Sequence, residues 1–279
     1  MVKKEQYTGM ESHEDRAIES HRARLDELQL RWDQELRRVA ENFGIDPTLD
    51  VPTLMQELEV STCGEWVRDK EARADSGVVL GVAGPGASGK GTLGEHATDA
   101  LGYGRVINTT TRDKRHYEED GVHYHFVDDA EYQRRLEEGM LLGANDKHGR
   151  GRYGIGKVDL EAGVATGGCL IEENPINLLN ALEGISGEAN VVLLYILPPY
   201  PIMDTCARRL YGRSASNEVD RKLTTEDVES TLGDRQIEEF SVLADRREYP
   251  NVRVVFLIND ELDESCAKMD TLFSLSAKA

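Results

Sequence analysis

The stretch Ser76-Gly-Val-Val-Leu-Gly-Val-Ala-Gly-Pro-Gly-Ala-Ser-Gly-Lys-Gly-Thr92 decides how the rest of the chain is read. Val78, Val79, Leu80 and Val82 form a short apolar run of the kind that makes a strand buried on both faces in a parallel sheet. Residues 84–90 then match G-x-x-x-x-G-K, and the chain from Leu93 onward can continue as a helix. Strand, glycine-rich turn and helix in that order form a phosphate-binding loop. The glycines allow backbone N–H groups to converge on an anion, and the helix N-terminus adds a favourable dipole. Gly84, Gly86, Ser88, Gly89, Lys90, Gly91 and Thr92 are therefore the expected ATP-binding residues, with Lys90 reaching the β- and γ-phosphates. Gly91 stands where a hydroxyl residue usually follows the lysine, and Thr92 comes one place later.

Outside this stretch, composition sets limits. The 279 residues carry a formal net charge of −19, and 39% are hydrophobic. Such a field repels nucleic acid and anionic membrane over long range, so a phosphate site must gather its own local cations. Residues 1–10 are polar and no apolar run is long enough for a membrane span, which sets the expectation of a cytoplasmic protein. Cys63, Cys169, Cys206 and Cys266 lie far apart without a CxxC pair, and read as reduced thiols.

Upstream of the loop, residues 11–43 read as one long helix. Ile18, Leu25, Leu28, Trp32, Leu36, Val39 and Phe43 recur at three- and four-residue spacing, Ser12 with Asp15 is a candidate cap, and Gly44 is a stop. A second, short helix starts at Asp50, and residues 65–75 read as a charged connector. The apolar stripe over 11–43 leaves three uses open for this extension: packing on the main domain, homo-oligomerisation, or docking of a partner. The domain division is 1–75 for the extension and 76–279 for the rest.

Downstream, strands alternate with helical stretches, the signature of a parallel α/β sheet. Residues 105–108, 122–127, 169–171, 191–197 and 252–258 read as strands, and 128–138 as a helix. Arg112, Arg115, Arg208, Arg209 and Arg213 are local cations in an acidic chain, and guanidinium forks suit bidentate phosphate binding. His123 and His125 share a strand face, but no third ligand has metal-site spacing, so no transition metal is expected.

Five landmarks in order carry a family resemblance. They are the 84–92 loop; Thr110-Thr111-Arg112 with Arg115; and Asp120-Gly121-Val122-His123-Tyr124-His125-Phe126-Val127. The fourth is Ile196-Leu197-Pro198-Pro199 followed by Arg208-Arg209-Leu210-Tyr211-Gly212-Arg213, and the fifth Ile258-Asn259-Asp260-Glu261-Leu262. Over residues 77–273 the chain resembles guanylate kinases, while Gly-Lys-Gly-Thr resembles the loops of adenylate and cytidylate kinases. The resemblance implies an α/β fold with a parallel core sheet flanked by helices, an inserted monophosphate-binding part and a lid. It implies ATP-dependent phosphorylation of a nucleoside monophosphate, with Mg2+ arriving with ATP and touching Thr92.

By the same resemblance Arg112, Arg115, Tyr124 and Tyr153 hold the acceptor phosphate, Asn108 and Glu172 face the acceptor, and Lys90, Arg209 and Arg213 are catalytic. Thr231 occupies the place of a third lid arginine, with Arg235 one turn later as its stand-in. The family reads guanine partly through an acid at the position held here by Gly143, with Asp146 three residues on, and Asn108 replaces a serine. These departures point to an altered or relaxed acceptor, such as a deoxy or modified nucleotide. Two other readings stay open: an inactive interaction module of the same fold, and a kinase for a non-nucleotide or polymer-linked acceptor.

Overall fold

A computed structural model describes residues 13–72, 77–114, 118–146, 151–186, 190–215 and 224–275. The N-terminal part forms α1 (His13–Glu19), α2 (Arg22–Asn42) and α3 (Val51–Ala72). The single helix expected over 11–43 is thus two. At the break the Ser20 hydroxyl donates to the Ala17 carbonyl (2.6 Å), and His21 N–H bonds three residues back to Ile18 (2.9 Å). Such local bonds compete with the helical ladder. The candidate cap Ser12 lies outside the described residues.

Asp50 caps α3 by accepting from Thr53 N (3.1 Å) and Thr53 Oγ1 (2.8 Å). Residues 65–72, expected as a connector, continue the helix. Trp66 is buried, donates its indole N–H to the Leu272 carbonyl (3.0 Å) and packs on Phe273 with ring centroids 5.9 Å apart. That anchoring outweighs the charged local composition.

From there the chain runs β1 (Val78–Ala83), α4 (Lys90–Asp99), β2 (Gly104–Arg105), β3 (Thr109–Thr110), β4 (His125–Phe126), α5 (Asp129–Glu137), β5 (Leu141–Asp146), β6 (Arg152–Gly156) and α6 (Lys157–Thr166). It continues with β7 (Gly168–Glu172), α7 (Pro175–Ile185), β8 (Asn190–Leu197), α8 (Ile202–Ala215), α9 (Thr225–Leu232), α10 (Asp234–Ser241), a 3-10 helix (Val242–Glu248), β9 (Arg253–Ile258) and α11 (Leu262–Phe273).

The main sheet has order β2-β7-β1-β8-β9 with all pairs parallel. A smaller sheet, β4-β3-β6-β5, carries the inserted part. The strand expected at 105–108 does not form as one piece. Val106 N–H still bonds to Leu170 in the main sheet (2.9 Å), but Asn108 O already accepts from His125 N in the small one (2.8 Å). The expected strand at 122–127 shortens to β4 because residues 121–123 turn.

Alternation along the central strands divides the core in two. Val79, Leu193, Tyr195 and Phe256 face one cluster, and Leu80, Leu194 and Val255 the other. The first cluster includes Leu25, Leu28, Trp32, Leu36 and Val39 of α2, all fully buried. The stripe read from the sequence is therefore occupied by packing on the rest of the chain. Beside it, α3 covers the sheet edge at β9: Thr62 Oγ1 accepts from Phe256 N (3.0 Å) and Glu59 Oε1 from Ile258 N (2.8 Å). Edge N–H groups that would otherwise template association are thereby paired.

Candidate active site

The phosphate loop joins the end of β1, at the centre of the sheet, to the first turn of α4. All seven loop residues expected from sequence lie at this junction. Lys90 Nζ donates to the carbonyls of Gly84 (2.8 Å) and Pro85 (2.9 Å), so its charge lies along the loop. Ser88 is fully buried, and its Oγ has no hydrogen-bond partner. A buried polar atom left open calls for a partner, and a water, an ion or a ligand group can each supply it. Thr92 is exposed in the first helical turn, open to a ligand at the helix N-terminus. These hydroxyls fit a magnesium-bound triphosphate, which Thr92 and the loop N–H groups would hold.

Helices α8 and α9 both reach this loop. Arg209 of α8 donates to the carbonyls of Ser88 (3.3 Å) and Asn259 (2.7 Å). Its neighbour Arg208 points the other way, to Asp15 (3.0 Å) and Glu14 (3.4 Å) of α1. A residue-to-residue rotation of about 100° explains why adjacent arginines serve opposite faces. Thr231, near the end of α9, packs on Gly86 so closely that a Cβ there would lie 2.5 Å from the Thr231 carbonyl oxygen. Arg235 lies in the first turn of α10, 3.6 Å from Glu239 on its own helix. Arg115 is outside the described residues, as is the side chain of Arg213 in the last turn of α8.

Arg112, Tyr124 and Tyr153, expected from the sequence on the acceptor side, form one cluster. Arg112 Nε donates to Tyr153 Oη (3.1 Å), and its guanidinium lies 5.5 Å from the Tyr124 ring centroid. Glu118, a buried acid, grips the other two guanidinium nitrogens at 2.7 and 2.9 Å. This fork raises the already high pKa of Arg112 and fixes its plane. Burial raises Tyr124 above its ordinary range.

Tyr124, Asn108 and Glu172 line a pocket of about 410 Å³ together with Arg105, Glu95 and Thr98. Asn108 donates Nδ2 to the Glu172 carbonyl (2.9 Å), while its buried Oδ1 has no partner. Glu172 pairs with Arg105 (2.8 Å). Its carboxyl is nevertheless shifted upward, because burial outweighs the opposing charges of Arg105 and Lys90. Gly143 has φ 53°, and a Cβ there would meet the Asn177 carbonyl oxygen at 2.5 Å.

Glu118 and Arg105 were not singled out by the sequence, and Asn259 stood only within the fifth landmark, with no role given to it. Asn259 Nδ2 donates to the Ser88 carbonyl (2.8 Å), locking the loop, and its place directly after a buried strand was the available signal. For Glu118 the signal was an acid six residues after an expected phosphate-binding arginine.

The sequence model of the family described as Guanylate kinase matches residues 78–275. A guanylate kinase of Leifsonia xyli subsp. xyli is 35% identical over 153 residues, covering 53% of this chain and 58% of that protein. One from Tropheryma whipplei (strain Twist) is 32% identical over 145 residues, covering 52% and 74%. Guanylate kinase 1 of Arabidopsis thaliana is 25% identical over 217 residues, covering 77% of this chain and 51% of its own. The match thus spans little more than half of the Leifsonia and Arabidopsis proteins. A crystal structure of guanylate kinase from Anaplasma phagocytophilum aligns with TM-score 0.47 at 16% identity, covering 72% of this chain and 88% of that one. Among the described residues no helix is long and apolar enough to cross a membrane.

Proposed function

The chain belongs to the guanylate kinase family, and from that premise we propose that it transfers the γ-phosphoryl group of ATP to a nucleoside monophosphate. One observation carries this reading furthest: Arg209 arrives from α8 at the Ser88 carbonyl, beside the loop that holds Lys90. Phosphoryl transfer needs positioning and charge neutralisation more than covalent chemistry, and converging cations at a glycine loop provide both. An oxygen of the acceptor phosphate attacks the γ-phosphorus in line, the bond to the β–γ bridging oxygen breaks, and ADP leaves.

In this reading Lys90 binds the β- and γ-phosphates, and Arg209, with Arg213 and Arg235, neutralises the transferring group. Arg112, held by Glu118, binds the acceptor phosphate with Arg115, Tyr124 and Tyr153. Magnesium bound with ATP at Thr92 would supply further charge neutralisation.

The acceptor is a monophosphate whose base is read differently from guanine. Asn108 offers an open buried acceptor atom, but Gly143 can hold no side chain against Asn177, so a carboxylate at that point is excluded by the backbone. Sites that lose a polar partner for a base donor lose discrimination of about 10²–10⁵.

A coupled ADP-release assay across ribo- and deoxynucleoside monophosphates tests both levels. Turnover of at least one acceptor should vanish in Lys90→Ala. Absence of turnover with every nucleotide, in a folded protein, would sink the kinase reading. GMP used at least as well as every other acceptor would sink the altered-acceptor reading and leave the first intact.

A further inference from the structure

Helix α2 lies outside the family match, yet it is fastened to α8 and α9, the two helices that reach the phosphate loop. On one side Arg22 Nη1 binds Asp204 Oδ1 (2.5 Å) in the first turn of α8. Gln29 Oε1 accepts from Met203 N (2.9 Å) in the same turn. Arg209, five residues after Asp204, carries that placement to the Ser88 carbonyl.

On the other side Arg24 forks onto Glu229 of α9, Nε to Oε1 at 2.7 Å and Nη2 to Oε2 at 3.0 Å. It also reaches Asp234 at the start of α10 (3.1 Å), which Arg31 binds as well. Glu229 stands two residues before Thr231, the residue packed against Gly86. Its carbonyl also accepts from Gly233 N (3.2 Å), closing the end of α9.

We propose that α2 is a brace for the phosphate site, and that Arg24 is a positioning residue acting through Glu229 and Thr231 on the loop at Gly86. The chain of contact has few links. A bidentate pair fixes the rotation of Glu229 as well as its distance. Rotating α9 displaces Thr231, and Gly86 has no spare room to absorb that displacement. Single ion pairs at half-exposed sites add little global stability; this small network would add more, but a purely structural role still predicts an effect spread over the helices it joins. A positioning role predicts a local one, concentrated at residues 84–92. Reversing both charges restores the pair to position 229, though not the contact with Asp234, and so isolates the link through α9.

The kinetic part of this inference rests on the proposed phosphoryl transfer, so its test carries a second readout that does not. The full-length chain is compared with Arg24→Glu, with Arg24→Glu/Glu229→Arg, and with Arg134→Glu, which breaks ion pairs on α5 instead. The brace predicts that Arg24→Glu lowers kcat about tenfold with little change in acceptor KM, since small misplacements act on the chemical step. Amide exchange in peptides covering 84–92 should accelerate, while Arg134→Glu changes neither. The double variant should recover part of both, the remainder being lost to the repulsion of Glu27 and Asp234.

Unchanged exchange at 84–92 in Arg24→Glu overturns the brace. So does faster exchange that the reversed pair fails to slow at all. If wild-type protein phosphorylates no acceptor, the proposed function falls, and the exchange measurement still decides the brace.

Discussion

Gly143 and Glu172 show how single positions bear on stability. At φ 53°, Gly143 sits where an L-residue is strained, and a methyl group would also strike the Asn177 backbone. Gly143→Ala should therefore lower the unfolding free energy by about 1–3 kcal/mol, read as a shifted urea midpoint. A wild-type midpoint would mean that β5 and α7 can separate freely. At Glu172 the argument concerns protons. Burial raises its carboxyl pKa above the ordinary 4.5 in the folded state, with Arg105 and Lys90 opposing. A group of this kind stabilises the fold below its unfolded pKa, and that contribution is lost as pH rises through the folded value. Glu172→Gln should therefore gain relative stability from about pH 4.5 upward. Melting curves from pH 4 to 8 measure the difference, and a pH-independent one would contradict the assignment of burial as the dominant cause.

Among the elements, α2 shows how much packing decides. Trp32 is fully buried, 4.8 Å from the Phe240 ring, and its indole N–H has no partner. Trp32→Ala should cost about 3–5 kcal/mol through the cavity it opens. Trp32→Phe should cost markedly less, because it keeps an aromatic ring against Phe240 and removes an unsatisfied donor. Equal losses in denaturant titrations of the two variants would refute that account. The same helix marks the boundary of what the sequence disclosed. Its stripe was readable because helical burial repeats locally; what covers the stripe was not, because Phe240 lies some two hundred positions away. Strands β1, β8 and β9 were readable as apolar runs because both their faces are covered. Strands β5 and β6 were not, since their pairing around Gly143 and Tyr153 is non-local and lacks alternation. The phosphate loop was legible down to individual residues, being one contiguous turn. Glu118 was hidden, and Asn259 was visible only as part of a landmark, because each acts by orienting a group brought near by folding.

For the whole molecule, the field and the site have opposite signs. The chain carries −19 formal charges, while its expected ligands are polyanions that meet Lys90, Arg209 and Arg112. Beyond about 10 Å, the screening length near 0.1 M salt, an approaching nucleotide feels mainly the acidic surface. Under the proposed function it would meet the loop lysine and the guanidinium groups at contact distance, where salt screens far less. Moderate salt should therefore remove more repulsion than attraction. The association rate of a fluorescent ATP analogue should rise between about 10 and 150 mM salt, the reverse of a basic site, where steering is lost as salt increases. Stopped-flow mixing at several ionic strengths measures it, with an uncharged viscogen as control. A rate that falls steadily with salt would mean that the cations at the loop dominate the far field. The negative surface would then be too distant from the site to govern approach.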